Sequence, residues 1–369
     1  MTTYYYPYPP DYRSYYQPPP PERNDLIHNF DNPDNPDNLT EIKNEIFEPE
    51  PKKQKIYKII DIQIVNLSDL INIINTYKYD ENYEYNINLK ALHDIKEDLH
   101  QLNNMIGMED LKKSILSQLL YFLQELHIDS IDDYKHTVIY GPPGTGKTEI
   151  AHILGQIYSK IGILKNNIFK KVCRSDLIAG YLGQTAIKTR KVIDECLGGV
   201  LFIDEAYALG SDGNDSFSKE CLDTLCNALS ENKNDLMVII AGYDQDLEKY
   251  FFDLNQGLNS RFIWRFKTDA YSSIELFQIL NKKINNSKWK IDCELKTNWF
   301  DDKIKYFTSY GRDIEALFFK IKIAHSFRIY GKDKSFRKII TIEDLNNGFN
   351  IFIDNPKIKN KSPSYSMYI

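Results

Sequence analysis

The rhythm of apolar and polar positions changes several times along the chain, and each change predicts a different kind of element. Residues 1–52 carry hardly any aliphatic pattern: Tyr4-Tyr5-Tyr6-Pro7-Tyr8-Pro9-Pro10 is followed by Pro18 to Pro21 and by Asn32-Pro33-Asp34-Asn35-Pro36-Asp37. Proline removes main-chain donors and there is little to bury, so a disordered Tyr/Pro-rich tail is expected. Residues 53–101 differ. Ile59, Ile60, Ile62, Ile64 and Val65 open an apolar stretch, and Ser68 suits the N-cap of a short helix carrying Leu70, Ile71, Ile73 and Ile74. Leu92, Ile95, Leu99 and Leu102 then fall on one helical face, so this part reads as a small, mostly helical N-terminal region.

Beyond Gly107, Leu111, Ile115, Phe122 and Leu126 mark an amphipathic helix. Short, nearly continuous apolar runs follow at Thr137–Tyr140, Phe169–Cys173, Val200–Ile203, Met237–Ala241 and Phe262–Phe266, separated by helical patterns. Such runs suit strands buried on both faces, which predicts an α/β domain over residues 102–268 with a parallel five-stranded sheet flanked by helices. After Lys267 the period is helical throughout. Ser272-Ser273-Ile274-Glu275 is a capping box, a long helix follows Gly311, and Thr341 caps a last one. A small all-α domain is expected over residues 269–355, then a loose tail over 356–369.

Composition narrows the class. The formal net charge of the 369 residues is −6, which argues against a general binder of nucleic-acid backbones. The five cysteines, Cys173, Cys196, Cys221, Cys226 and Cys293, form no Cys-x-x-Cys pair and read as small apolar fillers in a reducing compartment. No apolar run is long enough to cross a bilayer, and the Tyr/Pro-rich start does not resemble a secretory signal. An intracellular, cytoplasmic protein without a membrane partner is expected.

The chemistry starts at Gly141-Pro142-Pro143-Gly144-Thr145-Gly146-Lys147-Thr148, between the strand Thr137–Tyr140 and the helical run Glu149-Ile150-Ala151-His152. Strand, glycine-rich loop and helix in that order make a phosphate cradle. Main-chain amides approach the phosphates, and the helix N-terminus adds partial positive charge. Lys147 is placed to reach the β- and γ-oxygens, and the Thr148 hydroxyl to ligate Mg²⁺. Downstream, the apolar run Val200-Leu201-Phe202-Ile203 ends in Asp204-Glu205. Asp204 suits the Mg²⁺ shell and Glu205 the polarisation of an attacking water, so ATP and Mg²⁺ are the expected cofactors and ATP hydrolysis the expected activity.

Several stretches resemble one branch of the AAA+ ATPases, the one containing red-type rubisco activase and stage V sporulation protein K. They are Ala179-Gly180-Tyr181-Leu182-Gly183-Gln184-Thr185-Ala186, Gly198-Gly199-Val200 through Leu209, Val238-Ile239-Ile240-Ala241-Gly242-Tyr243 and Gly257-Leu258-Asn259-Ser260-Arg261-Phe262. The resemblance covers about Leu102 to Asn350, and the Asn/Ile/Lys-rich usage with the Tyr/Pro tail resembles giant-virus versions of the branch. The family implies a homo-oligomeric ring, usually a hexamer, with ATP at each subunit junction. It implies that Arg261 is an arginine finger entering the neighbour's site and Arg312 a sensor at the start of a lid helix. Ile106 and Gly107 match the segment laid against adenine, and Tyr181 the aromatic that lines a central pore and grips polypeptide. Many AAA+ proteins carry a polar Asn or Thr at the end of the fourth strand; here that stretch is Ala241-Gly242-Tyr243, so the group beside Glu205 is not identified.

The function expected is an ATP-driven ring that remodels or threads a protein substrate through its pore. Two alternatives stay open: a nucleic-acid-associated motor or loader, for which only Lys188, Arg190 and Lys191 speak, and an ATP-switched assembly scaffold that does no pulling.

Overall fold

A computed structural model describes residues 55–128, 133–181, 183–210, 215–292 and 297–354. The expected N-terminal and C-terminal tails, Cys293 and Leu182 lie outside the described residues.

The chain begins with a short strand β1 (Ile56–Lys58), helix α1 (Leu67–Thr76) and strand β2 (Tyr83–Tyr85), which pairs parallel with β1. This strand pair was not expected from the apolar pattern. Helix α1 is also capped differently. Asn66, not Ser68, is the N-cap: its side chain accepts from the Asp69 amide, and the Asp69 carboxylate accepts from the Asn66 amide. An asparagine side chain and an acid three residues on satisfy two amides reciprocally, which a serine inside the first turn cannot do. Helices α2 (Leu89–Asp94) and α3 (Lys96–Asn103) follow, and buried Asp98 of α3 receives Lys160 at 2.6 Å.

Helix α4 (Glu109–Leu123) ends sooner than its apolar spacing suggests. Glu125 takes a left-handed φ of 57°, which turns the chain and leaves Leu126 exposed. Next come β3 (Thr137–Tyr140), α5 (Lys147–Lys160), β4 (Phe169–Val172), the short α6 (Arg174–Leu177), α7 (Thr185–Asp194), β5 (Val200–Ile203), α8 (Ser216–Glu231), β6 (Met237–Gly242), α9 (Asp244–Leu247), α10 (Gln256–Arg261) and β7 (Trp264–Lys267). The five strands β3 to β7 form one wholly parallel sheet in the order β4-β5-β6-β3-β7. Alternate residues serve opposite layers. Ile139, Phe202 and Ile239 pack with α4 and α5, while Val138, Leu201, Ile203, Val238 and Ile240 pack with α7 and α8. That period of two is the reason the runs look continuously apolar: both faces are covered.

Three local expectations shift. Phe262 closes α10 and is buried there, so the last strand starts at Trp264. A helix, α6, stands between β4 and Tyr181, where the apolar pattern predicted no element. Cys173 is exposed and caps α6, its thiol 3.1 Å from Asp176 Oδ2, whereas Cys196, Cys221 and Cys226 are buried as expected of fillers.

The C-terminal part carries α11 (Ser273–Asn286), β8 (Lys290–Ile291), α12 (Gly311–Ile329), β9 (Ile339–Ile340) and α13 (Ile342–Ile353). The Ser272 and Thr341 caps form as capping boxes with Glu275 and Asp344. A two-residue parallel pair, β8 with β9, is added to the helices. Among the described residues no helix is long and apolar enough to cross a membrane.

Candidate active site

The carboxyl ends of β3, β5 and β6 point the same way, so the loops that leave them meet at one edge of the sheet, where parallel α/β folds bind ligands. The loop after β3 is wound through positive φ at Gly141 (143°), Gly144 (70°) and Gly146 (87°) before α5 starts. At Gly144 the requirement is double, because a Cβ would come within 2.0 Å of the Ser309 carbonyl oxygen. Buried Thr145 braces the loop from behind, donating to the Pro142 carbonyl and lying 2.8 Å from the Thr268 hydroxyl.

Lys147 follows at the first turn of α5. Its ammonium donates to the carbonyls of Gly141 and Pro142 at 2.8 and 2.7 Å and lies 5.4 Å from the centre of the Tyr243 ring. Burial pushes its pKa down to about 8, with Arg312 pushing the same way and Asp204 and Glu205 opposing. The Thr148 hydroxyl is 3.5 Å from Asp204 Oδ2, and the same oxygen takes the Lys171 ammonium at 2.6 Å. Thr148 and Asp204 thus converge two hard oxygen donors, the type that Mg²⁺ takes while keeping several waters. They could hold that ion if Lys171 gives way. Glu205, directly after β5, has a left-handed φ of 54°, a conformation that persists only where the surroundings impose it.

These groups open onto a cavity of about 550 Å³. Of the residues expected at the site, Pro143, Gly144, Gly146, Lys147, Thr148, Asp204, Glu205, Arg312 and Ile106 line it. Gly141, Pro142 and Thr145 form the back of the loop. Gly107 is not part of the lining: with φ of 65° it turns the chain next to Glu275, and its neighbour Met105 lines the cavity instead. Arg261 is elsewhere, at the end of α10, donating to Ser230 Oγ at 2.7 Å and to the Gly257 carbonyl at 2.6 Å. Tyr181 is also apart, in the loop between α6 and α7, and is 74% exposed.

The C-terminal helices supply a wall of which the sequence marked only Arg312. The Gly311 amide donates to the Gly144 carbonyl at 3.0 Å, joining α12 to the phosphate loop. Lys282 of α11 donates to the Asn104 carbonyl at 2.8 Å, and Lys283 pairs with Glu315 across α12. Tyr207, Tyr243 and Tyr271 also face the cavity. Tyr207 and Tyr243 stood in stretches already singled out; nothing marked Tyr271, Lys282 or Lys283, because only the tertiary fold brings them here.

Comparison with known proteins agrees with this geometry. The profile of the ATPase family associated with various cellular activities (AAA) matches residues 137–264, the segment from the first sheet strand to the last. A cfxQ-like protein of Acanthamoeba polyphaga mimivirus is 42% identical over 312 residues, which cover 83% of this chain and 76% of that protein. The chain belongs to the AAA+ ATPases. Stage V sporulation protein K of Bacillus subtilis is 33% identical over 205 residues, covering 54% of this chain and 63% of that protein, which places the chain in the branch shared with red-type rubisco activase. The crystal structure of the FIGL-1 AAA domain in complex with ADP superposes with a TM-score of 0.50 at 20% identity, covering 70% of this chain and 87% of that one, and supports the AAA+ fold. As an AAA+ ATPase the protein binds nucleotide and hydrolyses ATP.

Proposed function

We propose that this AAA+ ATPase assembles into a hexameric ring and uses ATP hydrolysis to pull a protein substrate through a central pore. One observation carries this reading. Tyr181 is 74% exposed between Gly180 and Gly183, while the base of its loop is clamped: Lys188 donates to the Ser175 and Ile178 carbonyls, and the Ala179 amide to Thr185 Oγ1. An exposed aromatic on a clamped base suits a group that grips many side chains without strict geometry.

The site residues take roles that fit their places. Main-chain amides of the Gly141–Thr148 loop and the Lys147 ammonium bind the β- and γ-phosphates, releasing Lys147 from the loop carbonyls. Thr148 and Asp204 would hold Mg²⁺, which would supply neutralisation of phosphate charge. Glu205 accepts the proton of the attacking water. Arg312, on the helix joined to the phosphate loop, reports the γ-phosphate to the C-terminal helices. Ile106 forms the adenine side, and Gly107 turns the chain that carries it. Arg261, outside the cavity of its own chain, completes the site of a neighbouring subunit as an arginine finger. The free thiols at Cys196, Cys221 and Cys226 fit a reducing, cytoplasmic compartment.

Two of the three basic residues that favoured a nucleic-acid motor are held within the chain. Lys188 is held on two carbonyls, and Arg190 pairs with Asp194 and Glu231. The test uses casein as an unfolded probe. Casein should stimulate the wild-type ATPase, and a Glu205→Gln ring should retain casein in the presence of ATP. Tyr181→Ala should lose both effects. Stimulation by DNA or RNA in place of casein, with salt-sensitive binding, would favour the motor. ATP-dependent assembly with no response to casein and no effect of Tyr181→Ala would leave the scaffold. Mixed rings of Arg261→Ala and Glu205→Gln subunits should recover activity that neither variant shows alone, if Arg261 acts across the junction.

A further inference from the structure

The end of β6 is the place where many AAA+ proteins put a polar side chain beside the hydrolytic carboxylate. Here Ala241 is fully buried and Gly242 has no side chain. The space is taken instead by two aromatic rings. Tyr243 stacks on Tyr207 with ring centres 5.6 Å apart and planes at 28°. Tyr207 belongs to a short 3-10 turn, Ala206–Gly210, that begins where Glu205 leaves β5. Three features lock this arrangement. Gly242 admits the Tyr207 ring, since a Cβ there would lie 3.0 Å from Tyr207 Cδ1 and 2.9 Å from Leu247 Cγ. The Ala208 amide donates to the Glu205 carbonyl at 2.8 Å and tightens the turn. The left-handed backbone at Glu205 fixes the direction in which its carboxylate leaves the strand.

Burial, then the facing charge of Glu205, then Tyr243 and Asp246, push the Tyr207 phenol up to about 12, so it keeps its proton and remains a donor. Three of the other charged groups around this corner are occupied or cationic. Asp204 takes Lys171, Lys147 lies over Tyr243, and Arg312 stands on the α12 side. Of the other cavity-lining hydroxyls, Thr148 is directed at Asp204 and Tyr271 at the Thr145 carbonyl, Ser287 sits at the far end of α11, and Tyr243 forms the other half of the stack. Tyr207 is a neutral donor that follows Glu205 by two residues and feels its charge.

We infer that Tyr207, seated by Tyr243 and Gly242, is the positioning residue for Glu205: its hydroxyl donates to the carboxylate and holds it toward the attacking water. The tyrosine pair thereby replaces the polar strand-end side chain of other AAA+ proteins. This rests on the reading of Glu205 as the base.

The experiment uses the full-length protein. Tyr207→Phe keeps the ring and the stack and removes only the hydroxyl, so circular dichroism and melting temperature should match the wild type. The kcat for ATP should fall about ten- to hundredfold, the range for losing a hydrogen bond to a charged group, while KM and fluorescent-nucleotide affinity stay within about twofold. Tyr243→Leu, which unseats the ring, should lower kcat in the same direction. The deciding measurement is the double variant. In a Glu205→Gln background, Tyr207→Phe should change the residual rate by less than about twofold, because a group that acts through another has nothing left to act on. Multiplying effects, or a wild-type kcat in Tyr207→Phe beside an inactive Glu205→Gln, would overturn the role of Tyr207 alone. Wild-type turnover in Glu205→Gln would remove the reading of Glu205 and the inference with it.

Discussion

Two clusters of charge in this chain, one buried and one open to solvent, use the same kinds of side chain to opposite ends. Between α12 and α13, Asp344 is 1% exposed and fully partnered: Arg328 donates to both carboxylate oxygens at 2.8 Å, His325 Nδ1 lies at 3.0 Å, and the Thr341 amide donates at 3.0 Å. Burial alone would raise the Asp344 carboxyl, but the hydrogen bonds from Arg328, Thr341 and His325 hold it below the usual carboxylate range. At the phosphate loop, Lys147 rests on two carbonyls that solvate its charge without neutralising it, Arg312 adds a second cation, and Asp204 is shared with Lys171. The first cluster partners both oxygens of its carboxylate and serves packing, leaving His325 Nε2 buried without a hydrogen bond. In the second, Lys147 and Arg312 make no ion pair among the described residues, which suits an incoming anion with several oxygens. What separates a structural network from a site is which partners remain to be made, not how many charges are buried.

Four substitutions test that contrast. We predict that Asp344→Ala costs about 3–5 kcal/mol in urea unfolding, because it removes a helix cap and leaves Arg328 and His325 buried without their anion. Nucleotide affinity of the folded protein should not change; a parallel loss would mean that the clusters are coupled. Lys147→Ala should do the reverse, weakening nucleotide binding by about a hundredfold in a fluorescence titration with little change in melting temperature. Retained micromolar affinity would end the role given to the phosphate loop. Arg312→Ala should weaken ATP by about tenfold and ADP less, as expected of a cation that meets the terminal phosphate alone. Lys283→Ala breaks a solvent-exposed pair with Glu315 at the cavity mouth and should change stability by about 0.5 kcal/mol or less. A loss of affinity as large as that of Arg312→Ala would show that Lys283 touches the nucleotide.

The sheet and the phosphate loop were legible because their signals are local. Strands covered on both faces leave continuous apolar runs, and a glycine-rich loop must sit between a strand and a helix. The ladder from Val200 to Ile203 and the start of α5 at Lys147 therefore match the reading closely. The misses share a cause as well. Asn66 rather than Ser68 caps α1 because a reciprocal bond with Asp69 decides it, and apolar spacing does not register such a bond. Leu126 keeps the helical period but follows a left-handed residue. Cys173 looks like an apolar filler and instead caps α6 from the surface. Lys282 and Tyr271 enter the cavity from far along the chain, with no local pattern to betray them. Tyr207 and Tyr243 were visible as letters, yet their stacking is a property of two loops meeting.

The joint between Gly144 and Gly311 has one more implication. It is made of main chain on both sides, an amide of one and a carbonyl of the other at 3.0 Å, and a Cβ on Gly311 would come within 2.7 Å of the Gly144 carbonyl oxygen. Most contacts in a protein can be strengthened or weakened by degrees, one methyl or one hydroxyl at a time. This one has no side chain to vary. Random substitution can sever the link between phosphate loop and helix but cannot grade it, so any tuning of how tightly the two move together has to come from the residues around the joint.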